Sequence, residues 1–211
     1  MKKPLLFFFV LSLMVSCSRQ SYYQTGDLLF VEGSASGAMD QAIMGSTGAM
    51  VHVGIVEVVG DSVFVIDAAP QTGVSRRPLD AFLEAQKDYE GRLPALHLMR
   101  LKNNREAASF VAQAKSLCGA EYDFSFMPDN KKYYCSELVH VCYQRKGEPL
   151  FEAVPMNFKN EEGGYDEFWV RLFVKQGMVI PQGVLGTNPD AMFQSNLLMH
   201  VEPRHGTTLH D

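Results

Sequence analysis

The chain has 211 residues, 46% of them apolar, 20% charged and 11% aromatic, which suffices for one sizeable core and is short for two domains. The 19 Lys and Arg against 24 Asp and Glu leave a net charge of -5 with no basic block, so no nucleic-acid partner is expected. Intrinsic disorder and collagen-like repetition are excluded by the same composition.

Residues 1–17 read MKKPLLFFFVLSLMVSC. Lys2 and Lys3 form a basic start, and Leu5 to Val15 an apolar stretch broken by Ser12, the layout of a secretory signal too short to span a bilayer as a stable helix. Ser16 followed by Cys17 is similar to a bacterial lipobox, with Met14 where the usual residue is Leu. This implies a signal peptide over 1–16 and a diacylglyceryl group on the Cys17 thiol. The alternative is an ordinary signal peptide with a coincidental cysteine. No later run of about 18 apolar residues occurs, so N-terminal acyl chains would be the membrane attachment. The expected location is the bacterial cell envelope, facing the periplasm or the exterior.

Residues 17–25 read as a polar tether, 26–201 as one domain and 202–211 as a polar tail. Gly26-Asp27 leads into a short buried strand at 28–31, and 33–50 reads as a loop with a helical turn. Two β-rich runs, 51–59 and 62–68, flank Gly60-Asp61, a tight hairpin signal. A short helix opened by Pro78 follows to Gln86, then a strand at 95–101. Asn103 or Asn104 can cap a helix to about Leu117, with Gly119 as its stop. Phe110, Val111, Ala114, Leu117 and Cys118 fall on one face of it, making Cys118 a small core hydrophobe. Residues 121–134 form an aromatic loop before a second helix near Cys135. Beyond Gly147, the 160–167 loop, the 168–174 run and Ile180-Pro181 read as strands and loops. The pattern is α+β.

With Cys17 set aside, Cys118, Cys135 and Cys142 remain, an odd number with no zinc-finger spacing, so at least one thiol stays free. Cys135 sits where the loop turns into a helix, and first-turn amides favour a thiolate and an oxyanion. At 100° per residue, Leu138, Val139 and Cys142 lie within about 60° of Cys135, so that face points inward and Cys142 is core. His140 projects about 140° away and reads as a surface residue rather than a base. His52 is the better base. With Gly60-Asp61 as the turn, Val59 pairs with Ser62, Gly54 faces Asp67, and His52 lies diagonal to Asp67 on one side of the sheet. A diagonal Cβ separation of about 7 Å or less suits a carboxylate bonding an imidazole. Glu57 has the opposite parity and points away. His97 alternates with apolar neighbours and is expected at a surface. His200, His205 and His210 recur in the polar tail, where solvation is favoured over weak metal binding.

Gly26-Asp27-Leu28-Leu29-Phe30, His52-Val53-Gly54-Ile55-Val56, Val65-Ile66-Asp67-Ala68 and Tyr134-Cys135-Ser136-Glu137-Leu138, in that order, resemble the YaeF/YiiX-type permuted papain-like amidases. These are relatives of NlpC-type cell-wall peptidases and of lecithin retinol acyltransferase. His52 precedes Cys135, as the circularly permuted branch requires. The resemblance implies an antiparallel sheet packed on helices, with Cys135 as nucleophile, His52 as general base and acid, and Asp67 as third member, a position often Glu in that branch. It implies a lipid-anchored cysteine hydrolase of amides or esters, acting on a peptide or lipid-like substrate such as a cell-wall peptide or acylated molecule. Acyl transfer, lipid hydrolysis and a non-catalytic binding lipoprotein on the same scaffold are the alternatives. No metal or organic cofactor is implied, and nothing in the sequence fixes the oligomeric state.

Overall fold

A chain reversal at Gly60-Asp61 sets the register from which the rest of the sheet is built. In the computed structural model, which describes residues 22–34 and 37–202, the first elements are β1 (Leu28–Glu32), α1 (Ala38–Ser46), β2 (Met50–Val59) and β3 (Ser62–Ala69). They are followed by β4 (Gly73–Pro78), α2 (Leu79–Gln86), β5 (Leu96–Leu101), α3 (Ala107–Ser116) and α4 (Cys135–Cys142). Short strands β6 (Gln144–Arg145), β7 (Glu148–Pro149) and β8 (Val154–Pro155) come next. The described chain closes with α5 (Glu167–Gln176), β9 (Leu185–Gly186), α6 (Pro189–Phe193) and β10 (Leu198–His200). The signal-like segment, Cys17, His205 and His210 lie outside the described residues.

Six strands pair antiparallel in the order β10-β5-β1-β2-β3-β4. Strand β1 is buried on both faces, with Leu28, Leu29 and Phe30 wholly inaccessible. One face carries Leu28, Phe30, Val53, Ile55 and Ile66 and packs against Phe110 of α3 and Leu138 and Val139 of α4. The other carries Leu29, Val31, Val56 and Val65 beneath Phe82 and Leu83 of α2. This is a mixed α/β architecture with an antiparallel sheet sandwiched between helices. Tyr22–Thr25 already pack on it: Tyr23 is buried, the Tyr22 hydroxyl donates to the Val201 carbonyl, and Thr25 Oγ1 donates to the Val58 carbonyl.

Several local expectations are corrected. The run at 168–174 is helical, not a strand: Asp166 Oδ1 accepts from the Phe168 amide at 2.8 Å, and Gly177 ends α5 in the left-handed region at φ 66°. Trp169 and Phe173, one turn apart, are its buried stripe. Segment 33–50 holds a nine-residue helix, α1, rather than a single turn. The residue preceding α3 is Glu106, not an asparagine, and because regular helix stops at Ser116, Cys118 leaves the helical spacing and is exposed instead of core. His140 is half-buried, its Nδ1 bonded to the Phe151 carbonyl at 2.6 Å, and so is not a free surface residue.

Candidate active site

The two-residue turn gives Val59↔Ser62, Glu57↔Phe64 and Ile55↔Ile66, and there the β2–β3 ladder stops. Beyond it β2 continues against β1 and β3 against β4. His52 and Asp67 lie just past this point on one face, with Gly54 between them. Gly54 is required by contact rather than by backbone angle: a Cβ there would sit 2.4 Å from Val65 Cγ1 and 3.6 Å from Asp67 Cβ. His52 Nε2 is 2.8 Å from Asp67 Oδ2, and Asp67 is fully buried while the His52 side chain is 14% exposed. A carboxylate on Nε2 fixes that nitrogen as donor and leaves Nδ1 as the acceptor.

The sequence reading missed Arg77. It pairs with Val65 across β3–β4, hence on the Asp67 face, and its Nη2 donates to the same Asp67 Oδ2 at 2.6 Å. Phe82 of α2 lies against both cation-bearing groups, stacked with the His52 ring at 6.0 Å and 5.5 Å from the Arg77 guanidinium carbon. A single carboxylate oxygen is thus shared by an imidazole and a guanidinium. Glu57, of opposite parity, is committed elsewhere: Arg76 Nε and Lys115 Nζ bind it at 2.5 and 2.8 Å. Although burial opposes this, Lys115 and Arg76 hold the Glu57 carboxyl below its ordinary range.

Cys135 opens α4, which packs against both β2 and β3. Cys135 lies close enough to His52 for its charge to act on the ring. Burial pushes the His52 pKa down, but the charge of Cys135 and the Asp67 hydrogen bond more than reverse it, and His52 is pushed up to about 10. The first-turn amides of α4 have no acceptor within the helix. Glu137 folds back to the Tyr134 amide at 3.4 Å, and burial together with Asp123 pushes its carboxyl up to about 8, so it adds little negative charge beside the thiol at neutral pH. The segment before α6 is fastened to this helix start. The Thr187 amide donates to the Tyr134 hydroxyl at 2.9 Å, and Thr187 Oγ1 donates to Ser136 Oγ at 3.0 Å. Asp190 of α6 accepts from the Met50 amide at 3.2 Å, two residues from His52.

Cys135 and His52 line a cleft of about 720 Å³. Met39, Ile43, Phe126, Met156 and Trp169 give it apolar walls, and Asp40, Gln71 and Asn188 are polar lining residues. Tyr122, also lining, is buried, and burial followed by the Cys135 charge raises its hydroxyl pKa well above the ordinary value, so it remains a donor. The structure therefore brings Cys135, His52 and Asp67 together. It places Cys142 in the core, and His97 and His200 outside the lining of the cleft, with His97 Nε2 bonded to the lining residue Glu32 at 2.8 Å.

A crystal structure described as the metalloprotein YiiX from Escherichia coli O157:H7 is similar over 86% of this chain and 97% of that one, with a TM-score of 0.68 and 23% identity. In the present site Asp67 Oδ2 already faces the Arg77 cation, which does not fit a metal there, and among the described residues no group of three or more His, Cys, Asp or Glu is arranged to hold an ion. No curated protein gives a significant match. The family model for permuted papain-like amidases matches residues 22–202. With a helix-start cysteine downstream of the histidine strand in an antiparallel sheet, and that match spanning the described fold, the chain belongs to the permuted papain-like amidase family, YaeF/YiiX, C92.

Proposed function

We propose that the protein is a cysteine hydrolase of amides or esters, anchored to the bacterial envelope by acylated Cys17, with Cys135 as nucleophile. The observation that carries this reading is that Cys135 and His52 line one cleft, with His52 Nε2 held by the buried Asp67 Oδ2 at 2.8 Å. His52 Nδ1 takes the thiol proton, giving a thiolate–imidazolium pair that the buried carboxylate steadies. The thiolate adds to the substrate carbonyl, and amides at the start of α4, with the Tyr122 hydroxyl beside them, supply donors for the oxyanion. The imidazolium protonates the leaving amine or alcohol, and the neutral ring then activates water to release the acyl group. The apolar walls of the cleft favour a substrate whose acyl portion is hydrophobic, such as an acylated molecule or an apolar stretch of a cell-wall peptide.

The test is to incubate envelope extracts with the wild type and with Cys135→Ala and compare peptides and lipids without preselection. New products in the wild-type sample alone support the reading. Indistinguishable product profiles, together with thiol-probe labelling of Cys135 that does not depend on His52, would leave a binding lipoprotein on a papain-like scaffold instead.

A further inference from the structure

The cleft around Cys135 draws its walls from both layers of the molecule. Met39, Ile43, Phe126, Met156, Phe158 and Trp169 line it from the layer that packs on the α4 face of the sheet. That wall runs up to the helix start: the Phe126 ring lies 5.1 Å from Tyr134 and 5.6 Å from Trp169. Trp169 Nε1 donates to the Ala42 carbonyl at 3.3 Å, so the indole offers the cleft no free polar atom. The other wall comes from the α2 side, which covers the opposite face of the sheet through Phe82 and Leu83. It holds Gln86 at the end of α2, Lys87, Asp88 and Tyr89 beyond it, Arg77 of β4, and Gln71 in the turn between β3 and β4.

The charges of this second wall are already matched. Arg77 is paired with Asp67, Lys87 with Glu84 and Asp88 with Arg92, at 2.6, 2.6 and 2.8 Å. The side-chain amides of Gln71 and Gln86, by contrast, have no hydrogen-bond partner among the described residues. Tyr89 is 81% exposed yet stands on a fixed turn: the Asp88 carboxylate accepts from the Glu90 and Arg92 amides, both at 2.9 Å, and the Gly91 amide returns to the Asp88 carbonyl. Cysteine hydrolysis divides a substrate between two such walls. The acyl group stays on the nucleophile, and the leaving group must meet the imidazolium that protonates it. Cys135 belongs to the apolar layer, whereas His52 stacks on Phe82 of α2. The acyl chain therefore takes the aromatic wall and the leaving group the α2 wall. A charged leaving group would find the counter-ions there taken and would have to shed water without a partner. Primary amides donate and accept at once, as hydroxyl groups do, and a tyrosine presents an apolar ring with a polar tip. Resting on the hydrolase reading above, we propose that the cleft takes acyl esters of an uncharged polyhydroxyl alcohol, a sugar or similar polyol, whose hydroxylated part is held by Gln71, Gln86 and Tyr89. The thiolate displaces the alkoxide, which takes the His52 proton and departs as the free polyol. Water then releases the fatty acid and restores the thiol.

The test offers the purified protein decanoyl esters of glucose, of glycerophosphate and of choline, with p-nitrophenyl decanoate as a common reference. The glucose ester should show a higher kcat/KM than the anionic and cationic esters. Tyr89→Ala and a Gln71→Ala/Gln86→Ala double variant, at exposed or half-buried positions, should each lower kcat/KM on the glucose ester relative to the reference. The expected loss is about two- to tenfold, that of one neutral hydrogen bond or ring contact. These variants should slow the acylation burst more than the later release of decanoate, because the acyl-enzyme no longer carries the alcohol. Ile43→Trp, on the opposite wall, should instead shift the preference toward shorter acyl chains whatever the alcohol. A wild type that prefers the glycerophosphate or choline ester, or variants that depress all esters alike, would overturn the leaving-group assignment and leave the hydrolase reading intact. Absence of Cys135-dependent turnover of every ester, the reference included, would overturn both together.

Discussion

Asp67 is asked to do two things with one oxygen. Its Oδ2 balances the Arg77 guanidinium and orients the His52 imidazole, while Oδ1 has no hydrogen-bond partner among the described residues. Asp67→Asn keeps the shape and removes the charge that steadies an imidazolium. The chemical step should fall about ten- to a thousandfold, equivalent to roughly 1.4–4 kcal/mol of transition-state stabilisation. Glu57→Gln should cost far less, because Glu57 serves Arg76 and Lys115 on the opposite face. Steady-state rates, or Cys135 alkylation rates as a proxy, decide between them; a crippled Glu57→Gln beside a silent Asp67→Asn would remove Asp67 from the mechanism. The same residues set the pH profile. His52 carries its proton up to about 10, so the general acid is present across neutral pH and the rate should fall as pH rises through that value. The Asp67 hydrogen bond is one of the causes holding His52 up, so in Asp67→Asn the alkaline limb should move to lower pH. An unchanged limb in that variant would mean that another group titrates there.

Register is the property of the elements on which the site depends. It was readable because a two-residue turn leaves no freedom: with Val59 opposite Ser62, alternation alone puts His52 and Asp67 on one face and Glu57 on the other. The helix-start cysteine was readable for a similar reason, since the inward stripe Cys135, Leu138, Val139 and Cys142 has one orientation. Arg77 was not readable, because Gly73–Pro78 is short, polar and ends in proline, and without recognising it as β4 nothing puts Arg77 opposite Val65. The run at 168–174 misled through its aromatic and β-branched content, which outweighed two local signals, the Asp166 cap and the Gly177 stop. Strand β10 has three residues, too few for any alternation to declare itself. The place where β2 and β3 part company gives an element-level prediction. Gly54→Ala would press a methyl group to 2.4 Å from Val65 Cγ1, a branched atom that cannot swing aside, and to 3.3 Å from Phe82 Cε2. Overpacking of this kind costs about 1–3 kcal/mol. Chemical denaturation should show that loss, and activity should fall further than stability alone explains because Phe82 also supports the His52 ring. A fully active, undestabilised Gly54→Ala would show that the contact is not tight.

At the scale of the whole molecule, the packed body and the proposed anchor are close neighbours along the chain. Tyr22 is fixed by its hydroxyl to the Val201 carbonyl at 2.9 Å and by an edge-on contact with buried Tyr23. Five peptide links separate it from Cys17. At about 3.3–3.6 Å per residue, that stretch reaches less than ~20 Å even when fully extended. A diacylglyceryl group on Cys17 would therefore hold the folded body close to the lipid surface, among substrates that reside in or next to the membrane. A single acyl chain anchors weakly and reversibly, whereas two give stable attachment, so the reading requires the full lipid modification. Cys17→Ser should move the protein from the membrane to the soluble fraction. The folded body, which includes every residue of the proposed triad, should keep its activity on a soluble ester and lose activity on a membrane-resident one. Mass spectrometry of the purified mature protein provides the direct check. An acylated Cys17 at the N-terminus is the expected species, and an unmodified N-terminus at any other residue would detach the hydrolase from the membrane and leave the proximity argument without its anchor.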